Sequence, residues 1–383
     1  MFTMRDPSMR PVLVLLLAVV ALPATVEAQA SSTASSDKPW YERITFAGDL
    51  RLRYESFYQA DLEDRHRGRF RLRLGLRGPI TDRLDFGVRL ASGGDDDIVS
   101  TNQTMEGFFT RKPINIDQAY LTWRPAGPVT IGGGRYGFPV LRTQLVWDDD
   151  VNWEGAYEQI TLPGGLSGRI VAAQTWVDES SGDRDAAMFA EQARVTIPAG
   201  RHRVELCLAS YAYRNVDAIA RAIASGEVNG QHTNRLRSDG SGRVIGYVSG
   251  YNLVDVIAVA TLATGRDQYP VTLLVEWVRN LDAATDEDTG VWIDAKYGRA
   301  SSPGTYGVGY VFARAEREAT LSAFNFSDLP GTNYRAHVVS ASYQAARRVT
   351  FDVTGLFSKR IDVAPGQANH LLKRFQMDVR VAF

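Results

Sequence analysis

Along most of the chain, apolar and polar residues alternate with period two, in stretches of about ten residues, the length of a tilted membrane strand. In the segment 67–77, Phe70, Leu72, Leu74 and Leu76 share one face, while Arg67, Arg69, Arg71, Arg73 and Arg77 share the other. A helix would scatter the two sets around its circumference; a strand separates them. The same separation sets Phe46, Leu50, Leu52 and Tyr54 against Asp49, Arg51, Arg53 and Glu55, and Leu84, Phe86, Val88 and Leu90 against Asp85 and Arg89. It recurs in Val271, Leu273, Val275 and Trp277 against Thr272, Glu276 and Asn280, and in Val349, Phe351, Val353 and Phe357 against Thr350, Asp352 and Ser358.

The connections alternate as well. Short turns are expected at Gly78-Pro79, Ala126-Gly127-Pro128, Pro163-Gly164-Gly165, Pro198-Ala199-Gly200, Ser302-Pro303-Gly304 and near Ala346-Arg347. Longer polar loops are expected around 93–114, 137–152, 215–242, 281–289, 318–332 and 362–369. Short turns on one side, long loops on the other and about 16 segments predict a transmembrane antiparallel β-barrel, all-β, with short periplasmic turns and long extracellular loops. The segments near 115–136 and 243–264 are the least regular, which leaves 14 or 18 strands as alternatives.

The start of the chain carries another pattern. Arg5 and Arg10 precede an apolar run, Val12 to Leu22, followed by Pro23 and small residues ending in Ala28-Gln29-Ala30. This is the order of a secretory signal peptide, and the run is shorter than the roughly 20 residues of a spanning helix. The expected organisation is a signal peptide over 1–30, a lead over 31–43 and a barrel over 44–383.

Composition narrows the function. Hydrophobic residues are 44% and charged residues 23% of 383, with a mean hydropathy of -0.20, which argues against a bundle of membrane helices. A barrel gives such a value because only alternate residues meet lipid. The net charge of -1 gives no global field toward nucleic acid. The single cysteine, Cys207, reads as a small strand filler. His66, His202, His232, His337 and His370 lack ligand spacing, so no metal or other cofactor is expected. Gly132-Gly133-Gly134 has no P-loop lysine after it and reads as glycines at a bulge or close approach.

A soluble β-sandwich also alternates, but it places its apolar rows inside. Here five arginines fill one strand's polar row, which suits a barrel with water inside and lipid outside. An Arg or Lys at mid-depth on the lipid face would cost about 2–4 kcal/mol, and these rows avoid that. About 16 strands leave an aqueous lumen, where about 8 would be filled by side chains. On that geometry Arg51, Arg53, Arg69, Arg71, Arg73 and Arg89 line one wall of three consecutive strands, raising the local concentration of anions. The bland alternative is a solvated wall balanced by Asp49, Glu55 and Asp85. Trp40, Tyr41, Trp123 and Phe383 fall at expected periplasmic ends and suit an interfacial girdle. No positioned Ser/His or Asp/His set suggests an enzyme.

Two stretches, Gly48 to Glu55 (GDLRLRYE) and Trp147 to Gly155 (WDDDVNWEG), resemble the bacterial "putative porin" family of Gram-negative outer membranes. The resemblance implies an outer-membrane barrel porin, often trimeric, passing small hydrophilic solutes by passive diffusion. The segment from Val129 to Glu158 more distantly resembles alginate-export barrels, which makes a channel selective for anions or acidic saccharides the alternative; the acidic run at Asp148 departs from that pattern. In general porins the third loop folds into the barrel. Carried over, this implies that the 137–152 loop narrows the lumen, with Arg142, Asp148, Asp149, Asp150 and Glu154 as constriction residues facing the arginine wall. The alternatives are an acidic surface loop or a calcium-like site. The last strand, alternating Phe375, Met377, Val379, Val381 and Phe383, resembles the terminal strand by which barrel-assembly machinery recognises outer-membrane proteins. Outer-membrane lipid and lipopolysaccharide are the remaining expected partners.

Overall fold

The computed structural model describes residues 39–164, 167–182 and 184–383; the expected signal peptide and most of the lead lie outside the described residues. Sixteen barrel strands form in chain order. They are β1 (Thr45–Tyr58), β2 (Arg65–Pro79), β3 (Leu84–Ser92), β4 (Ile114–Trp123), β5 (Val129–Tyr136), β6 (Trp153–Leu162), β7 (Ser167–Asp178) and β8 (Ala186–Ala199). They continue with β9 (His202–Arg214), β10 (Asn252–Leu262), β11 (Val271–Asn280), β12 (Thr289–Gly298), β13 (Tyr306–Ala315), β14 (Tyr334–Ala346), β15 (Val349–Arg360) and β16 (Leu372–Ala382). The sheet counts 17 strands because the two-residue strand Gln103–Thr104 pairs with Arg69 and Phe70 and continues the wall above the short β3.

Each strand pairs antiparallel with its chain neighbours, and β16 returns to pair with β1 from Asp49↔Ala382 to Tyr58↔Lys373. Reciprocal backbone bonds between Gly48 and Phe383, 2.9 and 3.0 Å, complete the closure. A closed sheet leaves no row of unpaired amides to meet hydrocarbon. Outward rows are apolar and exposed: Leu52, Tyr54, Leu76, Val88, Leu206, Leu208, Val275, Val353 and Met377 all face away from the lumen. Trp40, Tyr41, Trp123 and Phe383 are exposed at the short-turn end.

Within the described residues the expected turns hold with small shifts; Gly165 of the turn expected at Pro163-Gly164-Gly165 lies outside them. Gly78 and Pro79 close β2 and the turn itself is 80–83, because the Ile80 and Thr81 amides bond back to the Leu84 carbonyl. The connection expected at 215–242 runs to 251. It contains α1 (Asp217–Ser225) and a hairpin of Leu236–Ser238 with Val244–Tyr247. Gly226 ends α1 in the left-handed region at φ +77°, as C-terminal glycines do. Ala218, Ile219, Ala220 and Ile223 form the buried face of α1.

The inner surface has two characters. On β16, β1 and β2 it is charged: Arg53, Glu55, Arg69, Arg71, Arg374, Gln376 and Asp378 are buried. From β7 to β12 it is largely apolar: Val171, Ala173, Met188, Ala190, Tyr211, Tyr213, Leu253, Val278 and Trp292 are buried. These join Leu145, Val146 and Trp147 of the 137–152 loop in one cluster with Leu321 and Phe324 of the 316–333 loop. Water-facing polar rows were expected, and in this sector Gln192, Glu205, Asp255, Glu276 and Asp294 are instead interspersed among buried apolar residues. There the inner face packs against loops, so burying apolar area stabilises it instead of facing water.

Candidate functional site

The site begins with register. Pairing of β1 with β2 sets Arg51 opposite Arg71 and Arg53 opposite Arg69, while β1 with β16 sets Arg53 opposite Asp378 and Glu55 opposite Gln376. Like charges directly opposite destabilise a sheet, so the wall needs carboxylates, and it has them. Arg53 grips Asp378 in a fork, Nε to Oδ1 2.7 Å and Nη2 to Oδ2 2.8 Å. Asp49 accepts from Arg71 at 2.9 Å and from Arg73 at 2.7 Å. Glu55, fully buried, accepts from Arg67, Arg374 and Gln376. Arg89 pairs with Asp117 on β4.

The loops supply the rest. Asp328, in the 316–333 loop, reaches down to Arg53 at 3.2 Å and to Gln376 at 3.0 Å, and also pairs with Arg374. Burial pushes the Asp328 carboxyl up, but Arg374 and then Arg53 hold it well below the ordinary carboxylate range. Ser100 and Asn102 cover Arg69 and Arg51. Arg51 has no carboxylate within 4.0 Å among the described residues, and Arg69 reaches only Glu55, at 4.0 Å. Seven guanidiniums (Arg51, Arg53, Arg67, Arg69, Arg71, Arg73, Arg374) thus meet five carboxylates (Asp49, Glu55, Asp150, Asp328, Asp378), leaving a local excess of positive charge.

The 137–152 loop joins β5 to β6 and touches inner side chains on three other parts of the barrel. Gln192 of β8 exchanges two 2.7 Å bonds with the Leu141 backbone. Thr143 donates to the buried Glu276 of β11. Asp150 lies 3.7 Å from Arg71 and 4.0 Å from Arg73, and it accepts from the Thr101 amide and hydroxyl at 3.1 and 3.0 Å. The loop therefore lies within the barrel. Trp147 fixes it, stacking on Phe324 at 5.5 Å and meeting Trp153 and Tyr211 edge-on at 5.3 and 5.7 Å.

The acidic run is divided among different tasks. Asp150 alone reaches the arginine wall. Asp148 is buried and ties the loop to its neighbour: Ser327 donates to Oδ2 at 2.7 Å, and the Asp148 amide donates to Phe324 at 2.7 Å. Burial, reinforced by the charge of Asp150, pushes the Asp148 carboxyl up to about 7. Asp149 stays exposed and pairs with Arg142 at 2.6 Å; Arg142 sits over the Phe138 ring at 4.1 Å and closes the loop on itself. Glu154 pairs with Arg135 of β5. Of the wall residues, Arg51, Arg53, Arg69, Arg71 and Arg73 come together, whereas Arg89 sits apart on Asp117. Below them a recess of about 310 Å³ is lined by Asp49, Arg73, Arg77, Arg89, Gln118 and Tyr120.

Sequence reasoning did not single out Arg374, Gln376, Asp378 or Asp328. The first three were readable as the polar row of the last strand, which closure sets beside β1. Nothing in the sequence marks Asp328, which arrives through loop folding.

Residues 57–239 match the family described as "Putative porin". Among solved structures, OprB of Pseudomonas putida aligns at a TM-score of 0.58 with 12% identity, covering 90% of this chain and 95% of that one. OmpF of Salmonella typhi, in complex with daunomycin, aligns at 0.54 with 11% identity over 89% and 97%. OmpT, an outer-membrane protein of Vibrio cholerae in a trimer form, aligns at 0.50 with 10% identity over 89% and 100%. At these identities the likeness is one of fold. No curated protein matches the sequence.

Proposed function

We propose that this chain, whose residues 57–239 match the "Putative porin" family, is an outer-membrane pore that passes small hydrophilic solutes by passive diffusion. The observation that carries the reading is the closed barrel of 16 strands whose outward rows are apolar and whose inward wall on β16, β1 and β2 is charged. Such a shell is stable only with lipid outside and polar surroundings inside. The reading assigns no bond-making step. It places the chain in a Gram-negative outer membrane, exported by the 1–30 signal peptide and inserted through the terminal strand ending at Phe383. The OmpT neighbour's trimer form supports a homotrimer here as well.

The wall acts by bias. Arg53, Arg71 and Arg73 are already paired, so a passing anion gains little by displacing their partners and does not stay. The unpaired charge of Arg51 leaves the lumen weakly anion-preferring. That excess also favours the second reading, a channel selective for an acidic saccharide.

Reversal potentials in a salt gradient, with swelling of protein-loaded liposomes in neutral and acidic sugars, decide between the two. The general pore predicts weak anion preference and uptake of neutral sugars according to size. Strong anion selectivity, with block by one acidic sugar, supports the alternative. Impermeability to all of them by correctly folded protein refutes both.

A further inference from the structure

Resting on the pore reading and deepening it, we propose that the lumen favours one class of solute, short zwitterionic peptides. Two recesses of opposite charge, stacked along the inner face of β1–β6, would hold such a peptide end to end, its ammonium in the upper recess and its carboxylate in the lower.

The upper recess, about 280 Å³ at the long-loop end, carries five carboxylates, Asp95, Asp97, Asp117, Asp150 and Glu154, against one guanidinium, Arg135. The lower recess, about 310 Å³, carries Arg73, Arg77 and Arg89 against one carboxylate, Asp49. Part of this charge has no internal partner. Among the described residues no cation lies within 4.0 Å of Asp95 or Asp97, and no carboxylate within 4.0 Å of Arg77. A bulge builds the boundary. Arg89 of β3 pairs with Gln118 of β4, but Leu90 pairs with Ile116, so Asp117 is the extra residue. A bulge re-aims a side chain, and here Asp117 and Gln118 both turn into the lumen. Asp117 pairs with Arg89 and accepts from Asn152 at 2.7 Å, while Gln118 donates to Asn152 at 2.7 Å. Asp117 lines the upper recess and Arg89 the lower, so the two meet at this ion pair.

The other flank of the boundary is Arg71. It is buried, donates to Asp49 of the lower recess at 2.9 Å and lies 3.7 Å from Asp150 of the upper, and its Nε has no partner. A buried donor without an acceptor is costly, and a peptide carbonyl lying across the junction can supply one. Length follows from the strand. The upper recess meets β3 at Ala91 and Ser92, the lower at Gly87, Val88 and Arg89. Their middles are therefore about 10–13 Å apart along the strand. An extended peptide spans about 3.3–3.6 Å per residue, so a chain of about three residues carries its ammonium to the carboxylates and its carboxylate to the guanidiniums. A single amino acid is too short to reach both. A solute with one sign of charge is drawn to one recess and repelled by the other.

Swelling of protein-loaded liposomes tests this at about pH 7.5, where Asp97, pushed up to about 6 by burial, is ionised. The four probes are triglycine, glycine, and each of these with its amine acetylated and its carboxyl amidated. Wild type is expected to admit triglycine about 10-fold faster than its blocked form, the lower end of what focused charge does in a cleft, while glycine gains little over its own. Arg77→Gln, and separately Asp95→Asn with Asp97→Asn, should cut the triglycine advantage to about 3-fold or less, the size left when one of two charge contacts goes. Arg77→Lys should retain it. Ratios taken on the same vesicles cancel differences in the amount of inserted protein, and heat-modifiable mobility on gels confirms that each variant is folded. An equal advantage for glycine overturns the proposal, as does a triglycine advantage that survives both the Arg77→Gln and the aspartate variants. Passage of all four probes without preference overturns it too and leaves the pore reading standing. Exclusion of all four by folded protein overturns the pore reading, and this proposal with it.

Discussion

Asp148, Asp149 and Asp150 are consecutive, yet their environments give them three roles. Asp150, 3.7 Å from Arg71 and 4.0 Å from Arg73, is the one of the three that faces the wall. Asp150→Asn should therefore move the reversal potential toward anions. Arg71→Gln with Arg73→Gln should move it toward cations, with an effect on anion permeation of about 10-fold, the lower end of what focused charge does in a cleft. Asp148 has the opposite problem, a carboxyl without a cation. Its pKa in the folded protein, about 7, lies above the ordinary 3.8. The folded state therefore binds more protons between about pH 4 and pH 7, and stability falls as pH rises through that window. Asp97, pushed up to about 6 chiefly by burial, adds in the same direction. Urea unfolding of the solubilised protein should give a lower free energy at pH 8 than at pH 5, and Asp148→Asn should flatten that slope. The difference from Asp148 has a ceiling of about 4 kcal/mol. An unchanged slope in the variant would remove Asp148 from the account. Asp328 is bound to cations, so Asp328→Ala strips a buried partner from Arg53 and Arg374 and should cost about 3–5 kcal/mol in the same assay.

Among the elements, the 137–152 loop depends on a few anchors and on two glycines at its base. Gly134 of β5 and Gly155 of β6 are paired and both sit at positive φ, +117° and +145°. A Cβ on Gly134 would lie 2.3 Å from the Ala119 carbonyl oxygen, and one on Gly155 would lie 2.0 Å from that of Gln174. Gly134→Ala should therefore lower the yield of folded barrel, measured by heat-modifiable mobility. At the loop's far side, Thr143→Ala removes the hydroxyl that donates to the buried Glu276 carboxyl, a loss of about 1–3 kcal/mol. Faster tryptic cleavage after Arg142 and noisier single-channel current should follow; an unchanged cleavage rate would mean that Thr143 does not hold the loop. The strand pattern at β1, β2, β3 and β16 was readable because one face is apolar and the other is charged. Between β7 and β12 the inner face meets Trp147, Leu145 and Phe324 instead. Alternation survives there as buried against exposed, as in Ala209 and Tyr211, buried, opposed to Leu206 and Leu208, exposed. The helix α1 and its hairpin were not readable because they are short and sit inside a polar connection.

At the scale of the whole molecule, closure explains what sequence order conceals. The first and last strands become neighbours, so Arg374 and Asp378, some 320 residues from Arg53 and Glu55, finish the same wall. The strand number and the sidedness of the connections follow from period and turn chemistry. The contact between the 316–333 loop and the wall does not, since it depends on where two loops meet in space. The central claim is that water and small ions cross the membrane through this barrel. Single-channel recording of the refolded protein in a planar bilayer in potassium chloride tests it most directly. The account predicts discrete, ohmic conductance steps with a reversal potential shifted slightly toward that of chloride. A bilayer that stays silent with verifiably folded protein inserted would contradict it.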